Sequence, residues 1–150
     1  MARTIGYRSI LVPLADNAET DTALGVACRL AAERGCSLTA VAVVEVPALL
    51  PLDAHMRDEE VEAKRLLRRA ETAADSYGIT VSRRVVRARD AAVAIVEQAA
   101  AAGTDLVVIG APRRRTRRLG HTTESVLRDV PCRVMLVSAP AKAVPGRIAV

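Results

Sequence analysis

The 150-residue chain has no tryptophan, no phenylalanine and only two tyrosines, Tyr7 and Tyr77. Its core must therefore be built from Val, Ile, Leu and Ala, and the aromatic platforms on which single-stranded nucleic acids stack are almost absent. The three cysteines, Cys28, Cys36 and Cys132, are odd in number and fit no C-x-x-C spacing. That points to reduced thiols and away from a disulfide framework, with Cys28 and Cys132 read as small core residues. His55 has no metal-ligating partner at useful spacing, so no metal site is expected. No apolar run approaches the ~18 residues of a membrane span, and the first residues lack the apolar stretch of a secretion signal, so a cytoplasmic chain is expected. Two nucleotide signatures are also missing. No lysine follows Gly110 or Gly120 as a P-loop requires, and G-x-G-x-x-G does not occur.

What is present is an alternation of short β-rich runs and helical stretches, in a chain with 51% hydrophobic residues and enough length for one well-filled domain. Strands are predicted at 9–14, 37–46, 79–87, 105–109 and 133–137, mostly Val, Ile and Leu as in strands covered on both faces. Helices are predicted at 20–34, 57–77 and 91–102, with Leu24 and Cys28, Leu66 and Tyr77, and Val93 and Val96 on their inward stripes. Asp90 is placed to cap the third helix, and Gly35, Gly78 and Gly103 to stop all three. Strictly alternating elements imply an open α/β fold with a mostly parallel sheet. The stretch 46–55, with Pro47, Pro51 and Asp53, reads as a loop whose Leu49, Leu50 and Leu52 pack against the domain. Asp58, Glu59, Glu60 and Glu62 complement the dipole of the second helix.

Charge is concentrated in one place. The chain carries 22 Lys and Arg against 17 Asp and Glu, and Arg113–Arg118 alone holds five arginines and no acid, which equals the whole excess. A localised anion preference fits this better than a nucleic-acid coat. In open α/β sheets ligands sit beyond the carboxyl ends of the strands where strand order reverses. Two stretches belong there: Pro13, Leu14, Ala15, Asp16 and Asn17 after the first strand, and Gly110 to Thr123 after the fourth. Gly120, His121, Thr122 and Thr123 precede a helix whose free N–H groups favour an anion, with the arginines lying between. The run reads equally as a solvated turn or as an anion contact made at least by Arg113. His121 reads as a phosphate contact or as a structural helix-start residue.

The segments "YRSILVPLADNAETDTAL", "DLVVIGAPRRR" and "LGHTTESVLRDVPCRVMLV" resemble, in order and spacing, the universal stress protein family over residues 7–138, leaving 139–150 as an irregular tail. The resemblance implies a five-stranded parallel sheet ordered 3-2-1-4-5, a homodimer and, in one branch, bound ATP, with magnesium only alongside ATP. It carries nucleotide contacts onto Pro13, Leu14, Ala15, Asp16, Val43, Gly110, Ala111, Arg113, Gly120, His121, Thr122 and Thr123. The ATP branch has a second glycine where Arg113 stands and a third glycine three residues after Gly120. It has an acid at the position of Ala15, with Asp16 next to it here. The sequence thus leaves two readings: a regulatory module holding ATP or another adenine nucleotide, or a scaffold that meets an acidic partner through Arg113–Arg118. Catalysis is not expected, Asp16 being the one candidate base. The resemblance also implies pairing of last strands through Cys132–Ser138, and a proline at Met135 is expected to cut the shared ladder.

Overall fold

The computed structural model describes residues 7–111 and 120–139. Arg113–Arg118 and all but Ala139 of the expected tail lie outside them. The elements run β1 (Ser9–Pro13), α1 (Ala18–Arg34), β2 (Ser37–Glu45), α2 (Arg57–Ser76), β3 (Val81–Ala88), α3 (Ala91–Ala101), β4 (Leu106–Gly110), α4 (His121–Asp129) and β5 (Arg133–Val137). Local chemistry explains the boundaries. The Asn17 side chain accepts a hydrogen bond from the Thr20 N–H at 2.8 Å, which starts α1. Asp90 does the same for Ala92 at 2.8 Å, as its spacing predicts for α3. Gly35, after α1, has φ +68°, the left-handed stop that costs other residues strain. Among the described residues no side chain caps α2, and Asp58, Glu59 and Glu60 in its first turn compensate its dipole.

The five strands form one parallel sheet in the order β3-β2-β1-β4-β5, as expected. Residue alternation sends the two faces into two cores. Ile10, Val12, Leu38, Ala40, Val44, Leu106 and Val108 pack with Ala27 and Cys28 of α1 and Leu67 and Ala70 of α2. Leu11, Val41, Val107 and Ile109 pack on the other side with Ile95 and Ala99 of α3 and Val126 of α4. Alanine on the helices lets backbone approach sheet closely, which is how a chain without large aromatics fills its interior. The Asp105 carboxylate accepts from the Arg8 and Ser9 N–H groups at 2.8 and 3.0 Å and ties the start of β1 to the approach of β4.

Several sequence expectations are corrected by the packing. Cys28 is fully buried, but Cys132 is only partly so. Tyr77 and Val93 lie on outer surfaces, 43% and 53% exposed: α2 ends at Ser76, which leaves Tyr77 at its C-cap, and α3 buries a narrower stripe than helical spacing suggests. The leucines between β2 and α2 do not pack on the domain: Leu49 is 98% exposed, with Leu50 and Leu52 also exposed. The loop holds its shape through backbone instead. Two arginines at the end of β3 bind its carbonyls, Arg87 reaching Leu52 and Ala54 and Arg89 reaching Val46, Pro47 and Leu50.

The β5 edge is also redefined. Arg133 N–H donates to the Asp105 carbonyl and Ala111 N–H to the Val137 carbonyl, so odd-numbered residues of β5 point their polar groups at β4. By alternation the free edge belongs to Val134 and Leu136, not to Met135.

Candidate functional site

The sheet divides between β1 and β4. Their pairing extends only from Ile10–Leu106 to Leu11–Val107, whereas β1 stays with β2 as far as Pro13–Val41 and β4 with β5 as far as Gly110–Val137. Beyond Leu11 and Val107 the two central strands go separate ways. The order reverses here, and the carboxyl ends open into a cleft of about 660 Å³. That size falls within the usual range for small-molecule sites.

Apolar residues make its floor and sides: Leu14 just after β1, Val41 and Val43 from β2, Leu66 from α2, Ile95 from α3 and Ile109 from β4. Thr122 and Thr123, in the first turn of α4, form one end. Gly120 stands at the cap of α4 and has no side chain with which to cap it, and the positive end of the helix dipole lies at this turn. Gly110 is there for packing. A Cβ on it would come within 2.5 Å of the Glu19 carbonyl carbon and 2.7 Å of Thr20 N, both backbone atoms of α1.

The opposite wall is acidic. Asp58, Glu59 and Glu62 of α2 line it, while Glu45, at the end of β2, lines the cleft beside the start of α3. The Glu45 carboxylate accepts from the Ala91 N–H at 3.0 Å and so helps start α3. Glu62 is gripped by Arg65, whose Nε and Nη2 donate to its two oxygens at 2.9 and 2.6 Å. This bond, more than any other influence, holds the Glu62 carboxyl below the usual carboxylate range. Arg65 also pairs with Asp16 at 3.1 Å, and Arg69 joins Asp16 at 3.3 Å and Asp21. The loop after β1 is thereby tied to α2.

Of the residues predicted for the site, Pro13, Leu14, Ala15, Val43, Gly110, Thr122 and Thr123 line the cleft. Asp16 does not; its carboxylate is turned to Arg65 and Arg69. Ala111 is buried and extends the ladder to β5, and Gly120 is the α4 cap. His121 is largely exposed, with Nε2 3.9 Å from Asp90. Arg113 lies outside the described residues. Thr20, Leu66, Ile95, Asp58, Glu59 and Glu62 line the cleft without having been foreseen there. The detectable signal for the acids was their place at the start of the helix after β2, which a parallel sheet carries to the same end as Pro13 and Gly110. Among the described residues no group of three or more His, Cys, Asp or Glu is arranged to hold a metal ion. No helix among them is long and apolar enough to cross a membrane.

The model of the universal stress protein family matches residues 6–138. No curated protein matches the chain significantly. Among solved structures, a universal stress protein UspA from Lactobacillus plantarum superposes with a TM-score of 0.74 at 22% identity, covering 89% of this chain and 99% of that one. A universal stress protein from Archaeoglobus fulgidus in complex with dAMP gives 0.68 at 21%, covering 87% and 98%. A family protein from Arabidopsis thaliana with AMP bound gives 0.70 at 15%, covering 93% and 96%. At these identities the likeness concerns the fold.

Proposed function

The chain belongs to the universal stress protein family, and we propose that it is a regulatory binding module whose cleft takes an adenine nucleotide and whose output is contact with a partner rather than chemistry. The observation that carries this reading is the cleft itself: about 660 Å³ at the fork of β1 and β4, with apolar sides for a base and the glycine-capped start of α4 for a phosphate. The AMP and dAMP held by two proteins of the same fold lend it support. Magnesium enters this reading only with ATP. Asp16, the one base the sequence offers, is engaged by two arginines, so the reading includes no hydrolytic step. A cytoplasmic homodimer joined through Cys132–Ser138 is the assembly that goes with it.

Native mass spectrometry of freshly purified protein, with thermal melts against ATP, AMP and cyclic AMP, tests the proposal. A ligand present at about 100 times its Kd stabilises by roughly 2.7 kcal/mol, or about 5–11 °C at this chain length. If no adenine nucleotide co-purifies and none raises Tm at millimolar concentration, the reading is lost.

The second reading, a scaffold that meets an acidic partner through Arg113–Arg118, gains from Gly110, whose glycine is accounted for by helix packing without any ligand. Serine at Arg113, Arg114, Arg115, Arg117 and Arg118 then abolishes partner capture and leaves the fold and Tm as they were.

A further inference from the structure

The two ends of the cleft differ in what they can accept. The start of α4 presents N–H donors and suits an anion, whereas α2 presents carboxylates, which in ionised form only accept hydrogen bonds. A ligand spanning the cleft must therefore carry an anionic group at one end and hydroxyl or amino donors at the other.

Only one carboxylate on the α2 wall is held in a fixed position. Among the described residues, no hydrogen bond restrains Asp58 or Glu59, and one oxygen of Glu45 is engaged at the α3 start. Position 15 contributes a methyl group, and Asp16 faces away into its arginine pair. Glu62 alone is fixed by a two-pronged guanidinium, and each of its oxygens retains lone-pair capacity after accepting from Arg65. Its lowered pKa keeps it ionised, hence purely an acceptor. The Arg65 fork takes the side on which the two oxygens stand together, so each keeps one outward lone pair that can accept from a single hydroxyl. With a base seated against Val41, Val43 and Ile95 and a phosphate at α4, both on the α3 and α4 side of the sheet, the ribose hydroxyls are the donors left to turn towards α2.

We propose that Glu62 is the specificity-determining residue of the cleft, accepting a hydrogen bond from a ribose hydroxyl of the bound nucleotide, with Arg65 as its positioning residue. This rests on the nucleotide reading above.

Calorimetric titration of the wild type and Glu62→Gln with AMP, 2′,3′-dideoxy-AMP and IMP tests it, circular dichroism verifying the fold of each variant. Wild type binds AMP about tenfold more tightly than the dideoxy compound, the scale expected for hydrogen bonds to a half-exposed charged group. In Glu62→Gln that ratio falls towards one through loss of AMP affinity, while dideoxy-AMP affinity stays within about twofold of its wild-type value. Arg65→Lys, which keeps the charge but not the fork, gives an intermediate ratio with dideoxy-AMP unaffected; a merely structural role would weaken both ligands together. The proposal is overturned if Glu62→Gln weakens AMP and dideoxy-AMP alike. It is equally overturned if the AMP-to-IMP ratio changes while the sugar ratio stands, which would assign Glu62 to the base amine. Wild-type protein that binds none of the three removes the nucleotide reading and this inference with it, whereas wild-type binding with an unchanged sugar ratio in the variant removes this inference alone.

Discussion

Replacing Gly110 by alanine adds one methyl group at the most crowded backbone approach beside the cleft. That Cβ would stand 2.5 Å from the Glu19 carbonyl carbon, 2.6 Å from its oxygen and 2.7 Å from Thr20 N. Carbon atoms in good contact are about 3.5–4 Å apart, so β4 or the first turn of α1 must move by roughly 1 Å. No rotamer change can relieve the clash, because all three atoms are backbone and the Asn17 cap anchors that turn. Overpacking typically costs about 1–3 kcal/mol, and contact with backbone puts this case near 3. At this length that lowers Tm by about 6–12 °C. Gly25 supplies the control, since it lies inside α1 and an added Cβ meets nothing within 4 Å. There alanine is expected to stabilise by about 0.5–1 kcal/mol, the ordinary helix advantage over glycine. The same chemical change thus has opposite signs at two sites, read by thermal and urea melts of both variants. A Gly110→Ala protein melting within about 2 °C of wild type would refute the packing argument.

Two further outcomes are expected. Leu136→Pro removes an outward N–H from β5 without touching the β4 ladder, so under the proposed homodimer it yields a folded monomer by light scattering; a fully dimeric variant rules out pairing through Cys132–Ser138. Burial pushes the thiols of Cys28, Cys36 and Cys132 above the ordinary range, so native protein reacts with thiol reagents more slowly than free cysteine at mildly alkaline pH, and Cys28 reacts only on unfolding. Because the folded state favours the protonated thiol, this contribution to stability is intact below the thiol's ordinary pKa and is lost as pH rises through the raised one. Rapid labelling of Cys28 in folded protein contradicts its placement.

Much of this architecture was legible in one dimension. Runs of Val, Ile and Leu of strand length alternating with helical stretches require a parallel sheet covered on both sides, and Asp90 and Gly35 mark helix ends through bonds to their own neighbours. The first and fourth strand ends could be named as site material because strand order alone brings them together. The acidic wall was less accessible. Asp58, Glu59 and Glu62 satisfy a local rule, complementing the dipole of α2; their place at the start of the helix after β2 shows that they reach the right end of the sheet, but not which of them line the cleft with Leu14 and Gly110.

By itself the sequence determined the alternating elements, their caps and stops, the two-sided core and the confinement of excess charge to Arg113–Arg118, because each depends on spacing of a few residues or on composition. Tertiary structure decided which carboxylates face the cleft, that Asp16 is spent on Arg65 and Arg69, that Gly110 serves α1, and that Leu49 stands in solvent on a loop held by Arg87 and Arg89. These contacts join residues 35–90 positions apart in most cases. Their physical cause is the direction each side chain takes once the sheet is assembled, and the local pattern carries no record of it.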